Sequence, residues 1–273
     1  MSIQCIDMQK YTIKEQIRKR VARSGNSGAV WVPKGWLGEE IIITRIETPR
    51  LSLKEEIINA VLPYLEGISG IFLYGSYARK EEAKDSDIDV LIIAKHKFTI
   101  ENMKRFDIEV IEMGRIRHAV QKNPFIYAAI NEARPVFNGS LLEELRQSKK
   151  DFKSFISWFK ETTKDSIKST EEFIELDRLE SEYLNSYSIL YSLMLRLRGV
   201  FLIKSLLDNK PFSNYSFKKF IIKHISEHEF KKVYKIYRDI RDDKKAENLK
   251  IEINTADKLV HVLQREVEVL NAK

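Results

Sequence analysis

The sequence has little cysteine, little proline and no long apolar run, and each shortage excludes something. A single cysteine, Cys5, in 273 residues rules out an internal disulfide framework and any thiolate-based zinc site. A lone thiol fits a reducing, cytoplasmic setting. Six prolines leave no room for a long proline-rich linker. No stretch of about 18 apolar residues runs free of charge, so no membrane span is expected. The opening MSIQCIDMQKYTIKEQ lacks the apolar centre of a signal peptide, so no secretion signal is expected.

What is present is ordinary globular material. Apolar residues make up 43% of the chain, within the usual range for folded proteins. The length allows one large domain or two to three small ones. Lys and Arg number 47 against 40 Asp and Glu, a net of +7. A basic balance helps a protein approach phosphates. The same density also suits a plain soluble surface.

Read in order, the chain predicts three regions and an α+β fold. Residues 1–48 read as a small β module. Val30 and Val32 alternate around Trp31, Pro33-Lys34-Gly35 breaks the run, and Ile41-Ile42-Ile43 forms a second strand candidate. Thr48-Pro49-Arg50 reads as a linker. Residues 49–140 alternate helix and strand patterns. Ser52 and Glu55 form a capping-box pair ahead of a helix. Ile71 to Tyr74, Ser86 to Ala94 and Arg105 to Met113 read as strands, and Pro135 to Phe137 as a short edge strand. The third of these alternates, with Phe106, Ile108 and Val110 on one face and Asp107 and Glu109 on the other. Helical pattern fills Arg115 to Ala133. Residues 141–273 are helical with almost no Gly or Pro before Pro211. Tyr183, Tyr187, Leu190, Met194, Leu197 and Phe201 recur at helical spacing and mark a central bundle helix. Further helices are expected near 217–225, 228–242 and 256–272.

The chemistry concentrates in Gly75-Ser76-Tyr77-Ala78-Arg79 and Ser86-Asp87-Ile88-Asp89. Gly75 lets the backbone approach a bulky anion with no Cβ in the way. Ser76 adds a hydroxyl, and the helix start adds free N–H groups. Asp87 and Asp89 lie two apart in a strand, so both carboxylates leave one face. Two hard oxygen donors suit Mg²⁺, which pairs a few carboxylates with substrate phosphates. Asp107 or Glu109 can supply a third. Arg79 can steady a phosphate or serve as a helix-surface charge. His224 and His228 sit four apart with no third ligand in view. They are read as surface or capping residues.

These residues resemble the nucleotidyltransferase domain of the DNA polymerase β superfamily. Its pattern is a Gly-Ser pair, a short helix, Asp-x-Asp on the next strand and a third Asp later. The stretch GSYARKEEAKDSDIDV is similar to the minimal nucleotidyltransferases of archaea and bacteria, and the likeness runs from about Glu55 to Phe137. Lys80 stands where that group favours Gly. The resemblance implies a mixed sheet with flanking helices. It implies Asp87, Asp89 and Asp107 as catalytic and Mg²⁺ (or Mn²⁺) ligands, and Gly75, Ser76, Arg79 and Ser86 as nucleotide contacts. The implied reaction moves a nucleoside monophosphate, AMP from ATP, to an acceptor hydroxyl on a protein, an RNA or a small molecule and releases pyrophosphate.

Two weaker likenesses flank it. Arg23-Ser24-Gly25-Asn26-Ser27, Val30-x-Val32-Pro33-Lys34 and Trp36-Leu37-Gly38 resemble a SpoVT/AbrB-type β module. That implies a homodimer and DNA contact, for which residues 1–50, with 9 Lys/Arg against 5 Asp/Glu, have compatible charge. Tyr183 to Leu206 and Tyr237-Arg238-x-x-Arg241-Asp242 resemble the HEPN-like bundles that accompany such transferases. His224, His228 and His261 lack the upstream Arg of active HEPN ribonucleases, so the tail reads as a platform for substrate or partner. The expected function is therefore a transferase with a nucleotide partner and no membrane. The alternatives are an antitoxin-like DNA-binding regulator of a toxin–antitoxin pair or a nucleotide-binding scaffold.

Overall fold

A computed structural model describes residues 14–17, 19–44, 51–83, 86–100, 105–244 and 249–270. Cys5 and the linker expected at Thr48 to Arg50 lie outside the described residues. The chain divides into two compact units, Met1–Arg50 and Leu51–Lys273.

In the first unit the β structure is one hairpin. β1 (Ala22–Ser24) pairs antiparallel with β2 (Ser27–Ala29) around a turn at Gly25 and Asn26. The strands expected at Val30 to Val32 and Ile41 to Ile43 are not strands. Ile41, Ile42 and Ile43 are exposed. So few residues cannot supply the partner strand and core that an apolar run needs. The Trp36 indole N–H donates to the Glu15 carboxylate at 3.1 Å.

The second unit opens with α1 (Leu53–Val61), capped as the spacing predicts. The Ser52 hydroxyl accepts from the Glu55 N–H, and the Glu55 carboxylate accepts from the Ser52 N–H. Both bonds satisfy donors that a helix start leaves open. A four-stranded sheet follows in the order β5-β4-β3-β6. Its strands are β3 (Ile68–Leu73), β4 (Ile88–Ala94), β5 (Phe106–Glu112) and β6 (Arg134–Phe137). β3 pairs antiparallel with β4 and β6, whereas β4 and β5 run parallel. The sheet is therefore mixed, and the fold is α+β. The short α2 (Gly75–Arg79) leaves β3 at once.

Period-two alternation divides the sheet into two faces. Ile71, Leu73, Ile88, Val90 and Ile92 pack with Ile57 and Val61 of α1. Phe72, Leu91 and Ile93 pack with α3 (Met113–Lys122), α4 (Pro124–Glu132) and α5 (Gly139–Arg146) through Ile116, Val120, Ile130, Leu142 and Leu145. The helical pattern expected at Arg115 to Ala133 is divided between two helices. Pro124 has no N–H to continue α3, and Asn123 caps α4 by accepting from the Phe125 N–H at 2.8 Å. The sheet-side core takes in Leu141 to Leu145, past the expected boundary at residue 140.

The remaining helices are α6 (Lys153–Glu180), α7 (Ser188–Leu207), α8 (Asn214–Ile221), α9 (Glu227–Arg241) and α10 (Ile253–Glu268). They share one core in which Leu190, Met194, Leu197, Phe217, Val233, Ile236 and Leu259 are buried. Each such side chain contributes roughly 1.5–3 kcal/mol by leaving water. Leu190, Met194 and Leu197 lie on α7 as their spacing predicts. Tyr183 does not. It precedes the helix and bridges to Glu252, because Ser181 to Tyr187 turns the chain between α6 and α7. Among the described residues no helix is long and apolar enough to cross a membrane.

Candidate functional site

β4 is buried along its length except at Asp89, which is half-buried. The parallel register sets Asp89 directly opposite Asp107 of β5, and Leu91 opposite Glu109. Asp107, not Glu109, is therefore the cross-strand partner. Both residues lie on the face of the sheet that also carries Leu91 and Ile93.

Asp89 is held where a charge is costly. Burial, then the nearby Asp107 carboxylate, push its carboxyl up to about 6. Arg241, Arg79 and the Ser76 backbone N–H act in the other direction. Glu109 is also pushed up, by burial and by Asp107. Tyr74 lies amid these charges. Burial raises its hydroxyl far above the ordinary phenol range, and Glu109, Asp89, Asp107 and Glu132 each add to that rise. The Tyr74 N–H donates to the Asp89 carbonyl oxygen at 3.0 Å, which fixes the turn out of β3 against β4.

That turn needs a glycine. Gly75 has φ +70°, and a Cβ there would meet the Asp89 Oδ2 at 1.8 Å. The backbone corner and the carboxylate touch with no space between. Lys80 closes α2 in the left-handed region at φ 60°. Glycine adopts that conformation at no steric cost, which accounts for its place in related sequences.

Glu132, at the end of α4, fills the corner from the other side. Its Oε1 accepts from the Gly75 N–H at 2.8 Å, and both its oxygens accept from Arg79 Nη1 at 2.7 Å. Arg79 Nε donates to Glu81 Oε2 at 3.0 Å. Arg79 therefore has two carboxylates for one guanidinium, and its side chain is only 16% exposed. It braces the corner from within. Nothing in residues 75–89 signals Glu132. It arrives from a helix more than fifty residues on, placed by packing.

The other residues expected at the site are arranged differently from one another. Ser76 directs its backbone N–H toward Asp89. The Ser86 hydroxyl accepts from the Ala83 N–H at 2.9 Å. Asp87 is exposed and precedes the first ladder residue, Ile88. Among the described residues no three Asp, Glu, His or Cys side chains group closely enough to hold a metal ion. The ladder aligns Asp89 with Asp107, and Asp87 lies one residue before it. The His224 ring stands 3.3 Å from the Arg265 guanidinium.

The helices beyond α5 reach this corner. Glu81 Oε2 accepts from the Asn214 N–H at 3.2 Å. The Arg79 guanidinium stacks 5.4 Å from the centre of the Phe212 ring. Arg241, at the end of α9, acts on the Asp89 charge. Phe212, Asn214 and Arg241 carry no motif that reveals this role in sequence.

Residues 55–147 match the family described as Polymerase beta, Nucleotidyltransferase, and this supports the polymerase β superfamily for that segment. The chain is similar to the solved structure of a nucleotidyltransferase-like protein from Exiguobacterium sibiricum 255-15. The identity is 13%, the coverage 78% of this chain and 72% of that one, and the TM-score 0.35. No curated protein sequence matches.

Proposed function

We propose that the protein transfers a nucleoside monophosphate, AMP in the first instance, from a nucleoside triphosphate to an acceptor hydroxyl. The acceptor oxygen attacks the α-phosphorus, the bond to the bridging oxygen breaks, and pyrophosphate leaves. The observation that carries this reading is the pairing of Asp89 with Asp107 beside the Gly75 corner, within the segment that matches a nucleotidyltransferase family.

The donor set suits Mg²⁺ or Mn²⁺. Asp89 and Asp107 are hard oxygen donors whose mutual repulsion a divalent cation would relieve. When bound there, the cation supplies charge stabilisation to the phosphate oxygens and activates the attacking hydroxyl. The chain contributes placement. The Gly75 turn, lacking a Cβ, lets the Asp89 carboxylate lie against the backbone, the β4–β5 register aligns the two carboxylates, and the Tyr74 N–H ties that turn to β4.

The test uses each α-labelled nucleoside triphosphate with Mg²⁺ and cell lysate. Label should pass to a protein, an RNA or a small acceptor, and Asp89→Asn or Asp107→Asn should lower transfer at least about 100-fold. Transfer that survives both substitutions overturns the reading.

A further inference from the structure

Arg79 is the cation that the sequence offers to a phosphate, and the structure spends it on Glu132 and Glu81. A polyphosphate tail at this corner still needs positive charge. Arg198, on α7, has it to give. Arg198 Nη1 donates to Asn214 Oδ1 at 3.1 Å and to the Tyr234 hydroxyl at 3.3 Å. Its guanidinium lies 5.3 Å from the ring centres of Phe212 and Phe217, and 5.8 Å from that of Tyr237. No carboxylate pairs with it among the described residues. A half-buried guanidinium framed by rings and neutral acceptors keeps its full charge for a ligand.

Its position ties it to the corner. Phe212 is the same ring that stacks on Arg79. Asn214 receives Arg198 through its side chain while its own N–H reaches Glu81. Arg241 completes the group. It pairs with its neighbour Asp242 at 2.7 Å, and it lies near both Asp89 and Tyr237.

We infer that Arg198, together with Arg241, holds the polyphosphate tail of the nucleotide, so that the helical region completes a site whose acidic half lies on the sheet. The inference rests on the nucleotide-handling reading above. It assigns the tail to residues outside the matched segment 55–147. Opposed charges on two sides fit a ligand whose cation-binding end faces the carboxylates and whose anionic oxygens face the guanidiniums.

The experiment is calorimetric titration of the full chain with ATP and with inorganic tripolyphosphate, in chelator and at fixed low salt. Arg198→Ala and Arg241→Ala should each weaken both ligands about tenfold or more. Arg198→Lys should recover part of the loss, because it restores charge but not the planar fork. Asp89→Asn should not weaken either ligand without a cation, since it removes a repelling charge. If the Arg198→Ala protein melts below the assay temperature, Arg198→Lys and Arg241→Ala decide. Wild-type affinity in those variants overturns this inference and leaves the proposed transferase standing. A wild-type chain that binds neither ligand and labels no acceptor overturns both.

Discussion

Gly75 and Asp89 stand so close that a methyl group on the first would meet the carboxylate of the second at 1.8 Å. The contact joins the exit of β3 to the start of β4, and it fixes where a carboxylate can sit relative to a bare backbone. Gly75→Ala adds a side chain at φ +70° as well. The substitution should cost at least about 2 kcal/mol and displace Asp89. Thermal unfolding and transfer assays should show both losses together. Full activity in a Gly75→Ala protein would show that the close approach is dispensable.

Glu132 and Arg79 form the second fixed relation, with both side chains mostly out of water. Removing one partner strands the other in a half-buried place. Glu132→Ala should destabilise the protein by about 2–3 kcal/mol and Glu132→Gln by less. Urea unfolding of both variants, of Arg79→Ala and of the double substitution gives the coupling. Additive costs would mean that the pair is not a unit.

Glu229 sets an acid limit on the helical region. Its carboxylate accepts from the Ser226 N–H at 2.6 Å and from the Thr255 hydroxyl at 2.7 Å. The Ser226 side chain is the largest influence, and together with Thr255 and the Ser226 N–H it outweighs burial and holds the carboxyl down to about 2 from an ordinary 4.5. The folded value lies below the unfolded one. The contribution is therefore complete above about pH 4.5 and is lost as pH falls toward about 2. Glu229→Gln should flatten the stability profile across that window and lower stability at pH 7. Denaturant midpoints measured at pH 7, 4 and 3 provide the check. Parallel profiles for the two proteins would remove Glu229 from the account.

Much of this architecture is legible in residue order, and the illegible part has a common cause. The Ser52 and Glu55 pair announces α1 because both partners lie within one turn. β5 declares its faces through strict alternation, so Asp107 and Glu109 could be placed on one side before any coordinates. Choosing between them takes the β4–β5 register, which depends on how two strands slide against each other. Glu132, Tyr74 and Arg241 carry no local mark. Each becomes part of the corner only when distant helices pack. Arg79 looks like an open cation in sequence, and two carboxylates brought by folding occupy it. In the first unit Val30, Val32 and Ile41 to Ile43 have strand composition, but strand character needs a partner that local pattern does not provide. Tyr183 has helical spacing to Tyr187, yet the chain must reverse there to bring α7 back along α6.

The parallel direction of β4 and β5 also governs when the acidic pair comes into being. A chain leaving Ala94 must travel back along the sheet before Phe106 can start beside Ile88. Parallel neighbours require such a return, whereas the antiparallel β3–β4 pair does not. Loop closure of this kind is slow relative to hairpin formation. An acidic pair suited to a divalent cation is therefore absent from any form in which β5 has not docked beside β4.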